Sequence, residues 1–299
     1  MINVTDLRKG FEGMEAVNGV TVHIKKGSIY GLLGSNGAGK TTLLKMLAGI
    51  YKPSSGDIQI LGQPVFENED IKKRMIFLAD SLYFYPNTTI QQAASFYQSV
   101  YPSWNEGRYQ TLKQVFQIDV TKKIHRLSKG MQRQVAFWLT LSTMPEILIL
   151  DEPLDGLDAV MRQKIKNLLI QDVAEREMTI LISSHNLREV EDLCDNVGIM
   201  HEGKIIIEKD LDDLKSDVHK IQVAFKQGIP AEFLQHVPVL YKEERGSVLL
   251  YIVRGKESEI HDHVQEHQPA IFDLLPLTLE EIFIYEMRDV GYEIENIIV

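Results

Sequence analysis

The chain has 299 residues, of which 44% are hydrophobic and 25% charged, a composition typical of a globular protein with room for one large domain and a smaller one. Its formal net charge of −10 argues against a nucleic-acid binder, because such proteins need a basic surface that displaces phosphate counterions. A single cysteine, an N-terminus without a signal-peptide pattern and apolar runs too short to cross a bilayer together predict a cytosolic protein without an intramolecular disulfide.

The first predicted elements are short strands within residues 1–28, separated by turns at Lys9-Gly10 and Lys26-Gly27. Phe11 lies beside the first of these turns. Its ring could stack on a nucleobase or pack against neighbouring side chains, and the sequence leaves both possibilities open. Residues 29–33 then form an apolar run that is typical of a buried strand.

A glycine-rich loop follows this strand and leads into a helix over residues 43–48. Strand, glycine loop and helix in this order predict a phosphate site, because glycines let successive backbone N–H groups point at phosphate oxygens. The helix N-terminus is partially positive, the Lys40 ammonium can reach the β- and γ-phosphates, and the Thr41 hydroxyl can bind Mg²⁺. We therefore expect a nucleoside triphosphate to bind at Gly34, Ser35, Asn36, Gly37, Ala38, Gly39, Lys40, Thr41 and Thr42.

The middle of the chain is predicted to be mainly helical. After strands at residues 57–61 and 75–78, the second of which ends at Ala79-Asp80, helices are predicted over residues 90–100, 106–116 and 129–143. The stretch from Leu82 to Trp104 is rich in aromatic residues. They could form the core of a helical subdomain or a docking surface for another protein, and the two can coexist on opposite faces.

Two later strands are predicted to end in polar side chains at one edge of a sheet. Residues 147–150 lead into Asp151-Glu152 and residues 179–182 lead into Ser183-Ser184-His185, with a helix over residues 160–174 between them and a hairpin over residues 197–208 after them. Ligands of doubly wound sheets bind beyond the carboxyl ends of the strands, so we expect His185 to lie near the γ-phosphate. Because adjacent side chains on a strand point in opposite directions, one carboxylate can face Mg²⁺ and the other the attacking water.

Past residue 214 the pattern becomes that of a small α+β unit, of ferredoxin-like type. Strands are predicted at residues 221–225, 239–242, 248–253 and 271–274, and helices at residues 231–236 and 258–266. Thr278 and Glu281 form a capping-box pattern that begins a last helix. His261, His263 and His267 could suggest a metal site, but only the last two share a helical face, so a solvated helix is favoured.

In combination, these motifs resemble those of the ATP-binding subunit of an ABC transporter. Gly34–Thr42 stands where the family has its Walker A loop, Ile147–Asp151 with Glu152 where it has its Walker B strand, and His185 where it has its switch histidine. Gly156-Leu157-Asp158 is similar to the D-loop. The resemblance covers residues 1–214 in the family's order and spacing.

Two further stretches carry the resemblance with more variation. Leu127–Gln132 stands where the family has its LSGGQ signature, with Lys129 in place of the first glycine and Met131 in place of the glutamine. The tail Pro276–Phe283 resembles the tails of ATPases that serve bacterial ABC-2-type exporters of peptides, antibiotics and lantibiotics. Asp80 stands where the family has a glutamine that binds Mg²⁺ and links the site to the membrane partner.

The resemblance implies an α/β P-loop NTPase fold with a parallel core sheet, an antiparallel β subdomain and an inserted helical subdomain at about residues 82–145. It places the ATPase domain in residues 1–214 and a small α+β accessory domain in residues 215–299. ATP and Mg²⁺ are the implied cofactors. The implied partners are an integral-membrane permease, which would hold the subunit at the cytoplasmic face of the membrane, and a second copy or a similar ATPase subunit.

The same resemblance implies roles for individual residues. Two copies would enclose two ATP molecules head to tail, with Ser128 and Gly130 of one copy touching the γ-phosphate held by the other. Asp158 of the D-loop-like stretch is counted among the nucleotide-binding residues, and Phe11 would stack on adenine where the family usually has a tyrosine. Glu152 would be the general base, and His185 would steady the γ-phosphate and the water. Mg²⁺ would be bound by Thr41, by Asp151 through a water, and by Asp80 directly or through a water.

Two other functions are considered. Soluble ABC ATPases that act on ribosomes or DNA usually carry two ATPase units or a long coiled coil, whereas this chain has one Walker A loop, no heptad run and an acidic balance. A P-loop kinase would not explain residues 127–132 or the base at Glu152. The sequence therefore favours a transport ATPase, with export of a peptide or amphiphilic compound favoured over import.

Overall fold

The computed structural model describes residues 1–226, 228–230, 233 and 237–289. By its internal contacts the chain divides into two compact units, Met1–Glu208 and Lys209–Val299, which are described separately below. The boundary at residue 214 between an ATPase domain and an accessory domain stays a prediction. Within the described ranges, no helix combines the length and the apolar character that crossing a membrane requires.

Strands and helices alternate through most of the first unit, as in other α/β folds. In chain order the strands are β1 Ile2–Phe11, β2 Met14–Ile24, β3 Ile29–Leu33, β4 Ser55–Ile60, β5 Gln63–Pro64, β6 Met75–Leu78, β7 Ile147–Asp151, β8 Thr179–Ser184, β9 Asn196–His201, β10 Lys204–Asp210, β11 Val218–Ala224, β12 Val239–Arg245, β13 Val248–Arg254 and β14 Ile271–Leu275. The helices are α1 Lys40–Leu47, α2 Glu69–Lys72, α3 Ile90–Val100, α4 Glu106–Phe116, α5 Lys129–Ser142, α6 Ala159–Arg176, α7 Leu187–Glu191, α8 Leu211–Ser216, α9 Glu257–Glu266 and α10 Leu279–Asp289, with a short 3₁₀ helix at Ile124–Arg126.

The first unit begins with an antiparallel sheet in the order β2-β1-β4-β5. The turn predicted at Lys9-Gly10 is wrong, because β1 continues to Phe11 and the chain reverses at Glu12-Gly13. The φ angles of these two residues are +47° and +88°. Two successive positive φ angles give the type of turn whose twist matches that of a β-hairpin.

A mainly parallel sheet in the order β10-β9-β3-β8-β7-β6 forms the centre of the first unit. All residues of β3, β7 and β8 are buried, as expected for strands covered on both faces. In the register of these strands Leu33 lies level with Ser184, and Asp151 lies level with Ser183. The glycine loop, the predicted carboxylates and the residues before His185 therefore meet at one edge of the sheet, as the sequence predicts.

The helices α3, α4 and α5 occupy the region predicted to be a helical subdomain. Trp138 of α5 is fully buried, stacks on Tyr109 of α4 with ring centroids 4.9 Å apart, and donates from Nε1 to the Tyr109 carbonyl at 2.9 Å. By contrast, Tyr83, Tyr85 and Phe96 are 78%, 64% and 50% exposed. The aromatic residues of this region thus form partly a core and partly a surface.

The second unit contains an antiparallel sheet in the order β12-β13-β11-β14, the strand order of a ferredoxin-like unit. The helix predicted at residues 258–266 is confirmed by α9, whereas the helix predicted at residues 231–236 lies outside the described residues apart from Phe233. The predicted capping box is also confirmed. Thr278 N donates to Glu281 Oε2 at 3.0 Å, and Glu281 N donates to Thr278 Oγ1 at 3.2 Å.

Candidate functional site

Glycines shape the loop between β3 and α1. At Gly39 φ is +105°, and a Cβ atom there would come within 2.2 Å of the Ala16 carbonyl oxygen on β2. A Cβ atom at Gly34 would come within 2.3 Å of the Met200 carbonyl oxygen on β9. Only glycine fits this close approach of backbone to backbone. The loop is therefore held tightly against β2 and β9 before α1 begins.

A cavity of about 330 Å³, named the phosphate cavity after its predicted ligand, opens at the N-terminus of α1. Within it, Lys40 is buried, and its Nζ donates to the carbonyl oxygens of Gly34 at 2.6 Å and of Ser35 at 3.2 Å. Burial lowers the pKa of Lys40, and the negative charges of Glu152 and Asp151 partly oppose that shift. The lining residues are Ala16, Ser35, Asn36, Gly37, Ala38, Gly39, Lys40, Thr41, Thr42, Asp80, Asp151 and Glu152.

Three residues with side-chain oxygen atoms, Thr41, Asp151 and Asp80, line this cavity. Thr41 Oγ1 donates to Asp151 Oδ2 at 2.9 Å, and Ser183 Oγ donates to Asp151 Oδ1 at 2.6 Å. Asp151 is buried, so these two hydroxyls hold its carboxylate in place. Asp80, whose side chain is 56% exposed, adds a second carboxylate to the same cavity. A hydroxyl and two carboxylates form the kind of hard oxygen set that Mg²⁺ prefers.

Glu152 and His185 form a hydrogen-bonded pair near the glycine loop. Glu152 Oε2 lies 2.9 Å from His185 Nδ1 and accepts the backbone N–H of His185 at 3.3 Å. Burial raises the pKa of Glu152, and the interactions with His185 and Lys40 partly oppose that shift. The backbone of Glu152 has φ of +46°, a conformation that is uncommon for residues other than glycine and that recurs at active sites. Such a carboxylate can accept a proton from a water molecule.

Three predicted nucleotide-binding residues lie apart from this group. Ser128 begins α5 by accepting the N–H of Met131 at 3.3 Å, and Asp158 begins α6 by accepting the N–H of Met161 at 2.9 Å. A Cβ atom at Gly130 would come within 2.5 Å of the carbonyl oxygen of Gly156. Among the described residues, the lining of the phosphate cavity includes none of these three predicted residues.

Phe11 is the last residue of β1 and is partly exposed. Its ring meets Tyr51 edge-on with centroids 5.5 Å apart, and Lys9 Nζ lies 5.2 Å from the centre of the ring. Within the described part of the chain, Phe11 is not one of the residues that line the phosphate cavity. The stacking of Phe11 on adenine therefore stays a prediction.

For the histidines of the tail, the sequence favours a solvated helix over a metal site. The rings of His263 and His267 are 5.1 Å apart, and His267 Nδ1 lies 3.0 Å from the His263 carbonyl oxygen. Within the described ranges, the group of three side chains close enough to share a metal ion is instead Glu152, Asp155 and His185.

Sequence reasoning missed two residues of the site. Ser183 holds Asp151, and its only signal in the sequence is its place just before Ser184-His185. Arg133 of α5 donates to the backbone carbonyl oxygens of both Glu152 and Asp80. A single arginine in an amphipathic helix is ordinary, so no signal in the sequence could have found it.

The chain is similar in sequence to known ATP-binding proteins of transporters. Residues 17–155 match the sequence profile of the family described as ABC transporter. The ABC transporter ATP-binding protein YtrB of Bacillus subtilis (strain 168) is 33% identical over 285 residues, which cover 95% of this chain and 97% of YtrB. The bacitracin transport ATP-binding protein BcrA of Bacillus licheniformis is 32% identical over 289 residues, which cover 94% of each protein.

A solved structure of the ATP-binding subunit of an ABC transporter is similar to most of the chain. It aligns with a TM-score of 0.68 and 26% identity, covering 72% of this chain and 92% of the solved one. The two bacterial relatives, by contrast, match this chain along almost its whole length.

Proposed function

The chain belongs to the ABC transporter family as an ATP-binding subunit, and from this premise we propose that it powers a separate membrane permease that exports a peptide, antibiotic or other amphiphilic compound. It binds ATP and is an ATP hydrolase, which sets aside the kinase alternative. The observation that carries the proposal of export is the similarity to a bacitracin transport ATP-binding protein over 94% of both chains. That similarity extends past the ATPase motifs into the tail.

Hydrolysis is proposed to use Glu152 as the general base. Phosphoryl transfer to water depends mainly on positioning and on stabilising charge, so the protein must hold the phosphates and orient the water. Lys40 and the glycine loop supply positive charge and backbone donors, and Glu152 supplies the proton acceptor at the edge of the same cavity. His185, which is hydrogen-bonded to Glu152, orients the carboxylate and steadies the γ-phosphate.

Mg²⁺ is proposed as the cofactor that accompanies ATP. The donor set fits this ion, because Thr41, Asp151 and Asp80 present hydroxyl and carboxylate oxygens at one cavity. When bound, Mg²⁺ neutralises charge on the phosphates. Asp151 is already oriented for this by Thr41 and Ser183. The carboxylate of Asp80 is more than half exposed and is contacted by Arg133 through Oδ1, and we propose that it binds the ion directly or through a water.

The rate of hydrolysis is expected to fall on acidification at a higher pH than an ordinary glutamate would cause. Glu152 works as a base only in its carboxylate form, and because burial raises its pKa, it takes up a proton above the usual glutamate range. The measurement is kcat/KM for MgATP as a function of pH, because this ratio reports the pKa values of groups in the free protein. The residual activity of Glu152→Gln should not show this fall at acidic pH. The same fall in both proteins would contradict the role of Glu152.

A second copy of the chain is proposed to complete each ATP site. Ser128, Gly130 and Asp158 carry family motifs for nucleotide binding, yet the described cavity of their own chain does not include them. A head-to-tail pair would place Ser128 and Gly130 against the γ-phosphate held by the opposite copy, with Asp158 as a further nucleotide-binding residue. The Gly130–Gly156 contact keeps the signature-like turn and the D-loop-like segment together as one surface for this purpose.

The permease is proposed to dock on an aromatic surface formed by Tyr83, Tyr85, Phe96 and Val100, all of which are exposed. The rings of Tyr83 and Tyr85 are 6.0 Å apart, and those of Tyr85 and Phe96 are 6.1 Å apart, so the surface is continuous. Contiguous exposed apolar groups mark interaction sites on proteins. The aromatic surface would receive a cytoplasmic helix of the permease and so hold the subunit at the membrane.

Charge on the aromatic surface is expected to break the complex with the permease. The double variant Tyr83→Glu/Phe96→Glu should lower the amount of co-purified polytopic membrane protein by about tenfold or more, the effect of losing buried aromatic anchors. The measurement is mild-detergent co-purification from native cells, quantified by mass spectrometry. Ile170→Glu on α6, where the apolar side chain is 44% exposed, serves as the matched control. Intact assembly in the double variant would contradict the docking proposal.

A further inference from the structure

Arg133 is a buried cation that contacts two segments of the site, at Asp80 and at Glu152. It lies in the second turn of α5, and only 8% of its surface is exposed. Its Nη1 donates to the carbonyl oxygen of Glu152. Its Nη2 donates to the carbonyl oxygen of Asp80 at 2.7 Å and to Asp80 Oδ1 at 3.1 Å. The guanidinium of α5 therefore contacts both the segment after β6 and the segment after β7.

The two peptide groups that flank the Cα atom of Glu152 are both held by hydrogen bonds. On its N–H side, Glu152 donates to the carbonyl oxygen and to the hydroxyl of Ser183, at 3.2 and 3.3 Å. On its carbonyl side, the partner is Arg133. Because φ of Glu152 is +46°, this backbone is in a conformation that persists only when surrounding contacts impose it.

We propose that Arg133 is a positioning residue for hydrolysis, which holds the backbone of Glu152 so that its carboxylate stays beside His185 and the phosphate cavity. The inference rests on the proposed role of Glu152 as the base. Through its second nitrogen, Arg133 also couples the position of Asp80 to that of Glu152. A movement of the Asp80 segment is therefore transmitted to the base.

The chemistry of this contact favours positioning over simple stability. Burying a charge is costly, and an apolar side chain of similar volume would often stabilise a helix interface equally well. The carboxylate paired with Arg133 is that of Asp80, which is more than half exposed and so a weak partner. The planar guanidinium is instead suited to bridging carbonyl oxygens of two separate segments, which a lysine ammonium on one flexible stem cannot do as well.

The test compares Arg133→Met and Arg133→Lys in the full chain. We expect Arg133→Met to lower kcat by about 10- to 100-fold, the cost of misplacing a reacting group by about 1 Å. KM and the affinity for a fluorescent ATP analogue should stay within about twofold, because the contacts to the phosphates are unchanged. Arg133→Lys should recover part of the lost kcat, since an ammonium can still reach one carbonyl oxygen.

A double-mutant cycle tests the coupling to Asp80. Asp80→Asn keeps the backbone carbonyl oxygen but removes the negative charge that Arg133 contacts, so it should lower kcat in the parent and have less effect in Arg133→Met. Additive effects would overturn the coupling.

Three results would overturn the positioning role or its premise. The first is a kcat of Arg133→Met close to that of the parent. The second is a loss that appears equally in nucleotide affinity and in thermal stability, which would indicate a merely structural role. If Arg133→Met does not fold, the same comparison is made on Arg133→Lys, in which kcat should fall while KM stays unchanged. The third is a Glu152→Gln protein that hydrolyses ATP normally, in which case the base assignment itself fails.

Discussion

Glu152→Gln is expected to lower the rate of ATP hydrolysis by about 10²- to 10⁴-fold, the range that a general base contributes. The substitution keeps the size of the side chain and an oxygen that can accept the hydrogen bonds from His185. It removes the only group in this proposal that takes the proton from water. ATP affinity should remain close to that of the parent, because the phosphates are held by Lys40 and the glycine loop.

The measurement is phosphate release under saturating MgATP, together with equilibrium binding of ATP. Glu175→Gln is the matched control, because Glu175 is an exposed glutamate near the end of α6. A Glu152→Gln protein that retains more than a tenth of the parent kcat would contradict the base assignment. Equal loss in the Glu175→Gln control would show that the effect does not arise at the site.

The same variant also tests the transporter proposal. Blocked hydrolysis should trap the ATP-bound pair of subunits and keep its partner attached, so a mild-detergent pull-down with MgATP from native cells can identify that partner. A polytopic membrane protein is the expected result, and it would direct the search for cargo to that permease. Ribosomal or DNA-associated partners without a membrane protein would instead favour a soluble ABC ATPase that acts on ribosomes or DNA.

Lys40→Met is expected to weaken ATP binding by about 10- to 100-fold, the equivalent of one charged hydrogen bond of the usual strength. Lys40 is the buried cation of the phosphate cavity, and its Nζ is held at the carbonyl oxygens of Gly34 and Ser35. Methionine fills much of the same volume without the charge. The loss should therefore arise from the missing ammonium and not from a collapsed loop.

Binding of a fluorescent ATP analogue measures this loss directly, and circular dichroism checks that the fold is retained. Lys45→Met is the matched control on the same helix, because Lys45 Nζ lies 5.4 Å from the centre of the Tyr51 ring and, among the described residues, Lys45 does not line the cavity. Unchanged affinity in Lys40→Met, or an equal loss in Lys45→Met, would contradict the assignment of Lys40.

Motifs within a single stretch of chain were predictable. The glycine loop, the apolar strands that flank it and the capping box at Thr278 depend on neighbours in sequence, and the structure has them where they were expected. The position of the turn in the first hairpin was not predictable, because Lys9-Gly10 and Glu12-Gly13 both have the composition of turns. The pairing of β1 with β2, and not the local sequence, selects the second.

From the sequence alone, an ATP-binding α/β subunit could be recognised and the segments that carry its chemistry could be predicted, because phosphate binding needs a contiguous loop and helix. Only the tertiary structure decided that Ser183 holds Asp151 and that Arg133 joins Asp80 to Glu152. These partners come from segments far apart in the chain. Their contacts depend on the register of β7 against β8 and on the seating of α5 at the sheet edge, which long-range packing sets and no local pattern encodes.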